Sequence, residues 1–222
     1  MEGVKNIRKI FHQADEIDRR EGMAAYSNYH HSFRKICKFF DFEFEPFVGA
    51  FAALSPNNDY LNNLRSAVTI ALGHREGIAL ERITVSTYKT CASRAWRVLD
   101  GEDFLAFTKG QKTRSFYQNI LDPNDPAPVT IDGHMISIFK GKRMRMNEAV
   151  RFNKHYELIS DAIKLVAYDE RLLANQVQAI LWFTWKRIHK PVKGDGQLNL
   201  YDQQDHWQVM HSPELIEPYP FL

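Results

Sequence analysis

Glu102-Asp-Phe-Leu-Ala-Phe-Thr-Lys-Gly-Gln-Lys-Thr-Arg-Ser-Phe116 is the stretch on which the reading of this chain turns. A short helical segment, Glu102 to Phe107, is separated by Lys109-Gly110-Gln111 from a second helical pattern running from Lys112 to Leu121. Two helices joined across so tight a turn direct backbone N–H groups and a helix start outward, which makes a seat for a phosphate. Lys109, Lys112 and Arg114 add positive charge at that seat. Taken alone, the same residues more readily describe a solvated basic turn between two helices.

Downstream, Asp122-Pro-Asn-Asp-Pro-Ala-Pro128 carries three prolines and must be a loop. Val129-Thr-Ile131 reads as extended, and Asp132 then takes the N-cap position of a helix opening near Gly133 and His134. By itself Asp132 is a helix cap, and His134 is as readily a helix-start histidine as a catalytic one. Helical periodicity continues in both directions. Val4 to Arg20, Ser27 to Phe40, Asp59 to Leu72, Thr87 to Leu99, Asp161 to Tyr168 and Asn175 to His189 each place apolar residues on one face. The last of these, with Trp182 and Trp185 three residues apart, reads as a core helix. Alternating strand patterns and internal repeats are not found. The expectation is an all-α protein of roughly eight to ten helices.

The 222 residues are 44% hydrophobic and 25% charged, the balance of a globular chain with ample core. A net charge of +2 is too small to argue for a polyanion partner, so such a site must come from local clustering. The densest cluster is Lys140-Gly-Lys142-Arg143-Met-Arg145, continuing to Arg151 and Lys154. It suits a nucleic-acid backbone as well as a solvated loop. Two distant cysteines, Cys37 and Cys91, exclude a disulfide framework and any four-cysteine metal or iron–sulfur site within the chain. No histidine pair has metal-site spacing, so neither metal nor cofactor is expected. The charged N-terminal segment lacks a signal-peptide core. The longest apolar run, Phe47 to Leu54, falls far short of the ~20 residues that span a bilayer. A soluble, cytoplasmic monomer without a membrane partner is expected.

The order of hairpin, lysine, helix, proline loop and hydrophobic-x-hydrophobic-Asp-x-His resembles the helix-hairpin-helix DNA glycosylase superfamily, the endonuclease III-like and 8-oxoguanine glycosylase-like enzymes. In that family a glycine-rich hairpin precedes a Lys-Thr pair, and a Val-Asp-x-His motif follows about twenty residues later. Gly110-Gln111-Lys112-Thr113 looks like the end of the hairpin motif, and Ile131-Asp132-Gly133-His134 looks like the aspartate motif. Upstream, Phe51-Ala-Ala-Leu-Ser-Pro-Asn-Asn-Asp59, with Asn63 beyond it, is similar to the family's early helix and DNA-probing loop. The likeness covers about Phe47 to Ile138. A narrower likeness is to small phage-encoded proteins that share AALSP, GxKxxxFYxNI and TIDxH segments. Two positions depart from the family pattern: Thr108 stands at the first hairpin glycine, and Pro56 lies nearest the glutamine that some members insert into the DNA stack.

The resemblance implies a two-lobed helical fold with a cleft, in which residues 47–139 form the core and residues 1–46 and 140–222 a flanking lobe. It implies a DNA glycosylase, with or without lyase activity, that excises a damaged or modified base. Asp132 would stabilise positive charge on the sugar and orient the nucleophile, and Lys112 would attack the anomeric carbon and form a Schiff base. Lys109, Gly110, Gln111, Thr113, Arg114, Asn57, Asn58, Lys140, Lys142, Arg143 and Arg145 would contact DNA. Phe116, Tyr117, His134 and Trp182 would wall a pocket for the flipped base. Lys112 and Asp132 would then approach within about one small-molecule diameter across the cleft. Two other functions fit the same residues: a non-catalytic DNA-binding protein, and a phage-type enzyme that modifies or exchanges a base.

Overall fold

A computed structural model describes residues 2–144, 155–189 and 212–221. All regular structure among them is helical: α1 (Glu2–Phe11), α2 (Glu16–Phe40), α3 (Phe44–Leu54), α4 (Tyr60–Arg75), α5 (Lys89–Leu99), α6 (Phe104–Phe107), α7 (Gln111–Leu121), α8 (Gly133–Lys140), α9 (Tyr156–Glu170) and α10 (Ala174–Ile188). Single 3₁₀ turns occur at Leu80–Arg82 and Pro213–Leu215. The all-α expectation holds. Among the described residues, no helix is long and apolar enough to cross a membrane.

The chain divides into two compact units. The first, here the aspartate unit, joins the residues up to Asn28 to those that resume at Asp122, and so contains α1, the start of α2, α8, α9 and α10. The second, the hairpin unit, contains Tyr29–Leu121 and the described C-terminal residues. This division differs from the 47–139 core expected from sequence, because α8 sits with the aspartate unit. Its buried Met135, Ile136 and Ile138 close against Val4, Ile7, Ile10 and Phe11, the apolar stripe of α1. Ile159, Ile163 and Val166 of α9 and Val177, Ile180 and Leu181 of α10 complete that core. Absent Cβ atoms let the elements meet: the Phe139 ring lies against Gly3, and the backbone of α10 at Ile180 lies against Gly22.

The first helix ends earlier than its periodicity suggests. Asp18 N–H donates to Asp15 Oδ1 at 2.8 Å and Asp15 N–H to Asp18 Oδ2 at 3.2 Å, a reciprocal cap that opens α2 at Glu16. Arg187 of α10 braces this corner through Asp15, Asp18 and the carbonyl of Gln13. The extended Val129–Ile131 segment is buried, and Tyr156 supplies hydrogen bonds that a strand partner would otherwise give. Its hydroxyl donates to Val129 O at 2.7 Å and accepts from Ile131 N–H at 3.2 Å.

In the hairpin unit, small residues bring α3 and α5 together, with Gly49 against Val98. Phe33, Phe47 and Phe51 are fully buried around them. The chain leaves α3 at Ser55, turns through Asn57 at φ +53°, and re-enters a helix where Asp59 accepts from Asn62 N–H.

Candidate functional site

The hairpin residues divide by what they bond. Asp103 caps α6, and Gly110 O accepts from Arg114 N–H at 3.0 Å as α7 begins. The Arg114 guanidinium turns back and donates to the carbonyls of Leu105 and Thr108. It therefore ties α6 to α7 from within. Lys109, Gly110, Gln111 and Lys112 are exposed, and Thr113 is half-buried. Gly110 does not adopt a left-handed conformation, and a Cβ there would meet only Thr113 Oγ1, at 3.7 Å. The turn itself thus has no steric need of glycine. Thr108 is 5% exposed, and its hydroxyl has no partner among the described residues.

The other expected contacts of this unit are also drawn into its framework. Asn58 Nδ2 donates to Leu54 O and Asn63 Oδ1, and its Oδ1 accepts from Ser86. Asn63 in turn donates to Phe51 O at 3.1 Å. Asn57, by contrast, is exposed at the loop tip. Phe116 lies in an aromatic cluster with Tyr29 and Phe51, at ring separations of 6.1 and 6.0 Å. Tyr117 is buried and donates to Glu45 at 2.9 Å. Burial, and then the Glu45 carboxylate, push its phenol above the ordinary range.

In the aspartate unit Asp132 caps α8, its Oδ1 accepting from His134 N–H at 2.9 Å and Met135 N–H at 3.0 Å. Both bonds fall on one oxygen. His134 meets Trp182 edge-on at 6.4 Å, so two of the expected pocket residues do come together. Beside them lies a residue that the sequence reading passed over. The Lys186 ammonium sits 4.0 Å from the centre of the Trp182 ring, within the field of Asp132. Burial lowers its pKa from 10.5 to about 8, and the Asp132 carboxylate acts in the opposite direction. Among the described residues, Asp132 and Lys186 form no ion pair; the carboxylate acts on the amine through its field, and Trp182 joins the amine on one side and His134 on the other.

At the other end of α8 the sequence Lys140-Gly141-Lys142-Arg143 makes a defined turn. Gly141, at φ +67°, donates to Ile138 O at 2.9 Å, and Lys142 N–H donates to Ser137 O at 3.1 Å. Met144 N–H bonds Ser137 Oγ at 3.2 Å. A Cβ on Gly141 would press on the Asn6 amide, which itself bonds Phe139 O at 3.1 Å. Lys140, Lys142 and Arg143 are exposed. Arg145, Arg151 and Lys154 lie outside the described residues.

Lys112 belongs to the hairpin unit and Asp132 to the aspartate unit. Lys186 carried a legible signal: it lies four residues after Trp182, placing a cation on the same stripe as the two tryptophans. Among the described residues, no group of three or more His, Cys, Asp or Glu side chains is placed to hold a metal.

Comparison with curated proteins and with solved structures finds no match. A family profile matches residues 1–189, a span that ends one residue past α10 and takes in both Asp132 and Lys186. The chain belongs to that family, DUF7178, a family of unknown function.

Proposed function

We propose that this protein is a DNA glycosylase in which Asp132 and Lys186 act as the reacting pair. The observation that carries the reading is the Asp132–Lys186–Trp182 grouping: a carboxylate, a partly desolvated amine and an aromatic face in one place. An ordinary lysine is almost wholly charged at neutral pH, whereas one with a pKa of about 8 offers roughly a tenth of its population as free amine. That amine is a competent nucleophile, and an arginine at the same place would not be.

In this mechanism Lys186 Nζ bonds to the anomeric carbon as the bond from that carbon to the base breaks. The proton shed by Nζ goes to the departing base. Opening of the sugar ring, with the ring oxygen taking a proton from water, leaves a protonated imine; water then hydrolyses it to the aldehyde, releasing a proton and regenerating the lysine. Asp132 stabilises the positive charge that develops on the sugar. Trp182 and His134 lie beside the amine, where an extruded base would stack. The resemblance to the glycosylase superfamily supports Asp132 in this role. It assigns the amine to Lys112, which in the present proposal contacts phosphate from the exposed turn instead.

The test is base release from oligonucleotides carrying oxidised, alkylated, deaminated and hydroxymethylated bases. Asp132→Asn keeps an oxygen that can cap α8 and removes the charge. The expected result is release by the natural protein and loss of at least about a hundredfold in the variant, with thermal stability retained. No release from any substrate, with oligonucleotide affinity intact, would overturn the enzymatic reading. The exposed Lys109–Lys112 turn would then favour a non-catalytic DNA-binding role.

A further inference from the structure

The aspartate unit carries a half-open recess of about 250 Å³ between α1, the Lys142–Arg143 turn and the end of α10. Lys9, Lys142, Arg143 and His189 line it, and among the described residues no aspartate or glutamate does. Neighbouring basic residues are neutralised: Arg8 pairs with Asp169, and Arg187 with Asp15 and Asp18. Lys9, Lys142 and Arg143 form no ion pair among the described residues.

Three unneutralised cations in one recess repel each other, an arrangement that a polyanion relieves. The recess is also held in shape. Gly141's left-handed turn, the two bonds to Ser137 and the Asn6 anchor fix where Lys142 and Arg143 emerge. Its aromatic side is the Trp185–His189 pair, stacked at 3.8 Å and 21°. His189 Nδ1 is buried with no hydrogen-bond partner among the described residues, an imidazole nitrogen with bonding capacity to spare.

We infer that this recess binds a phosphate group, held by Lys9, Lys142 and Arg143 beside the His189 ring. The volume lies below the roughly 300–1,000 Å³ of pockets that take drug-sized ligands, which suits a phosphate with little attached to it. A phosphate ester and a phosphodiester of a nucleic-acid strand present the same oxygens to these donors. The inference is independent of whether Asp132 and Lys186 act on a glycosidic bond, because it concerns binding alone.

His189 reports on the site. Its pKa lies below the usual 6.5, lowered first by burial and then by Arg143 and His134. The charged and titratable groups around it are Lys9 from α1, Lys142 and Arg143 from the turn and His134 from α8. A bound anion offsets their repulsion, so the His189 pKa rises on binding.

The experiment is an NMR titration of the full chain with inorganic phosphate, following the His189 ring across pH. The expected result is a saturable shift and a raised His189 pKa, with affinity falling at least about tenfold in Arg143→Ala and again in Lys142→Ala/Arg143→Ala. A short single-stranded oligonucleotide that displaces phosphate identifies a strand phosphodiester as the source. An oligonucleotide that leaves the phosphate signal unchanged identifies a free phosphate ester. No saturable response of His189, or one that survives Lys142→Ala/Arg143→Ala and the charge reversal Arg143→Glu in folded protein, overturns the inference.

Discussion

In the hairpin unit, the polar side chains that most resemble DNA contacts are bonded to the unit's own framework. Arg114 holds two carbonyls of the preceding turn, Asn58 and Asn63 close the α3–α4 turn, and Tyr117 is tied to Glu45. In the aspartate unit the charges are arranged otherwise. Lys186 is half-buried against an aromatic face with only a partial electrostatic counterweight, and Lys9, Lys142 and Arg143 share a recess that no carboxylate of the described residues lines. A satisfied polar group stabilises its own unit. An unsatisfied or partly desolvated one costs stability and is worth retaining where it meets a ligand.

Substitutions in the two units therefore differ in kind. The largest stability loss is expected for Arg114→Ala, about 1.5–3 kcal/mol, because it strands the carbonyls of Leu105 and Thr108. Denaturant unfolding measures it, and a loss below about 0.5 kcal/mol would return Arg114 to the set of free surface cations. Gly141→Ala should cost about 1–2 kcal/mol, since the left-handed conformation penalises any side chain and Asn6 leaves no room for one. Its melting temperature should fall with that loss.

Asp132→Ala should lose about 1 kcal/mol through the missing cap, while Asp132→Asn should stay close to the natural protein. Equal melting curves for the two variants would mean that the cap contributes nothing and that the carboxylate is held for its charge alone. The smallest effect is one of slope. Lys186 is depressed from 10.5 to about 8 in the folded chain, so the unfolded chain binds more protons between those values. Its contribution therefore increases stability as pH rises from about 8 toward 10.5, and below about 8 its charge is a standing cost. Lys186→Met should remove that part of the slope and be slightly more stable at neutral pH. An unchanged pH dependence would show that the amine is well solvated.

The helical class was legible because apolar periodicity persists through nearly every segment, and the Asp132 cap was legible because its sequence context is local. The division into units was not. It depends on α8 packing against α1, more than a hundred residues earlier, through Gly3 and Phe139, a fit that no local pattern announces. The Asp15–Asp18 cap was readable but masked by an apolar stripe that continues through Ala14 and Ile17. Within the site, Asp132, His134 and Trp182 were each visible, whereas the amine was marked only by the four-residue spacing of Lys186 from Trp182. Lys186 reads as the solvated end of a core helix until the fold places it over Trp182. His189 and Lys9 lie far apart in sequence, and only the recess brings them to one cavity.

The central claim is that the amine beside Asp132 does the chemistry. Its most direct test is to trap the protein with borohydride on an oligonucleotide carrying an abasic site and to map the modified lysine by mass spectrometry. The account predicts an adduct on Lys186 that forms more readily as pH rises toward 8, disappears in Lys186→Ala and persists in Lys112→Ala. An adduct on Lys112, or one that survives Lys186→Ala, would contradict it.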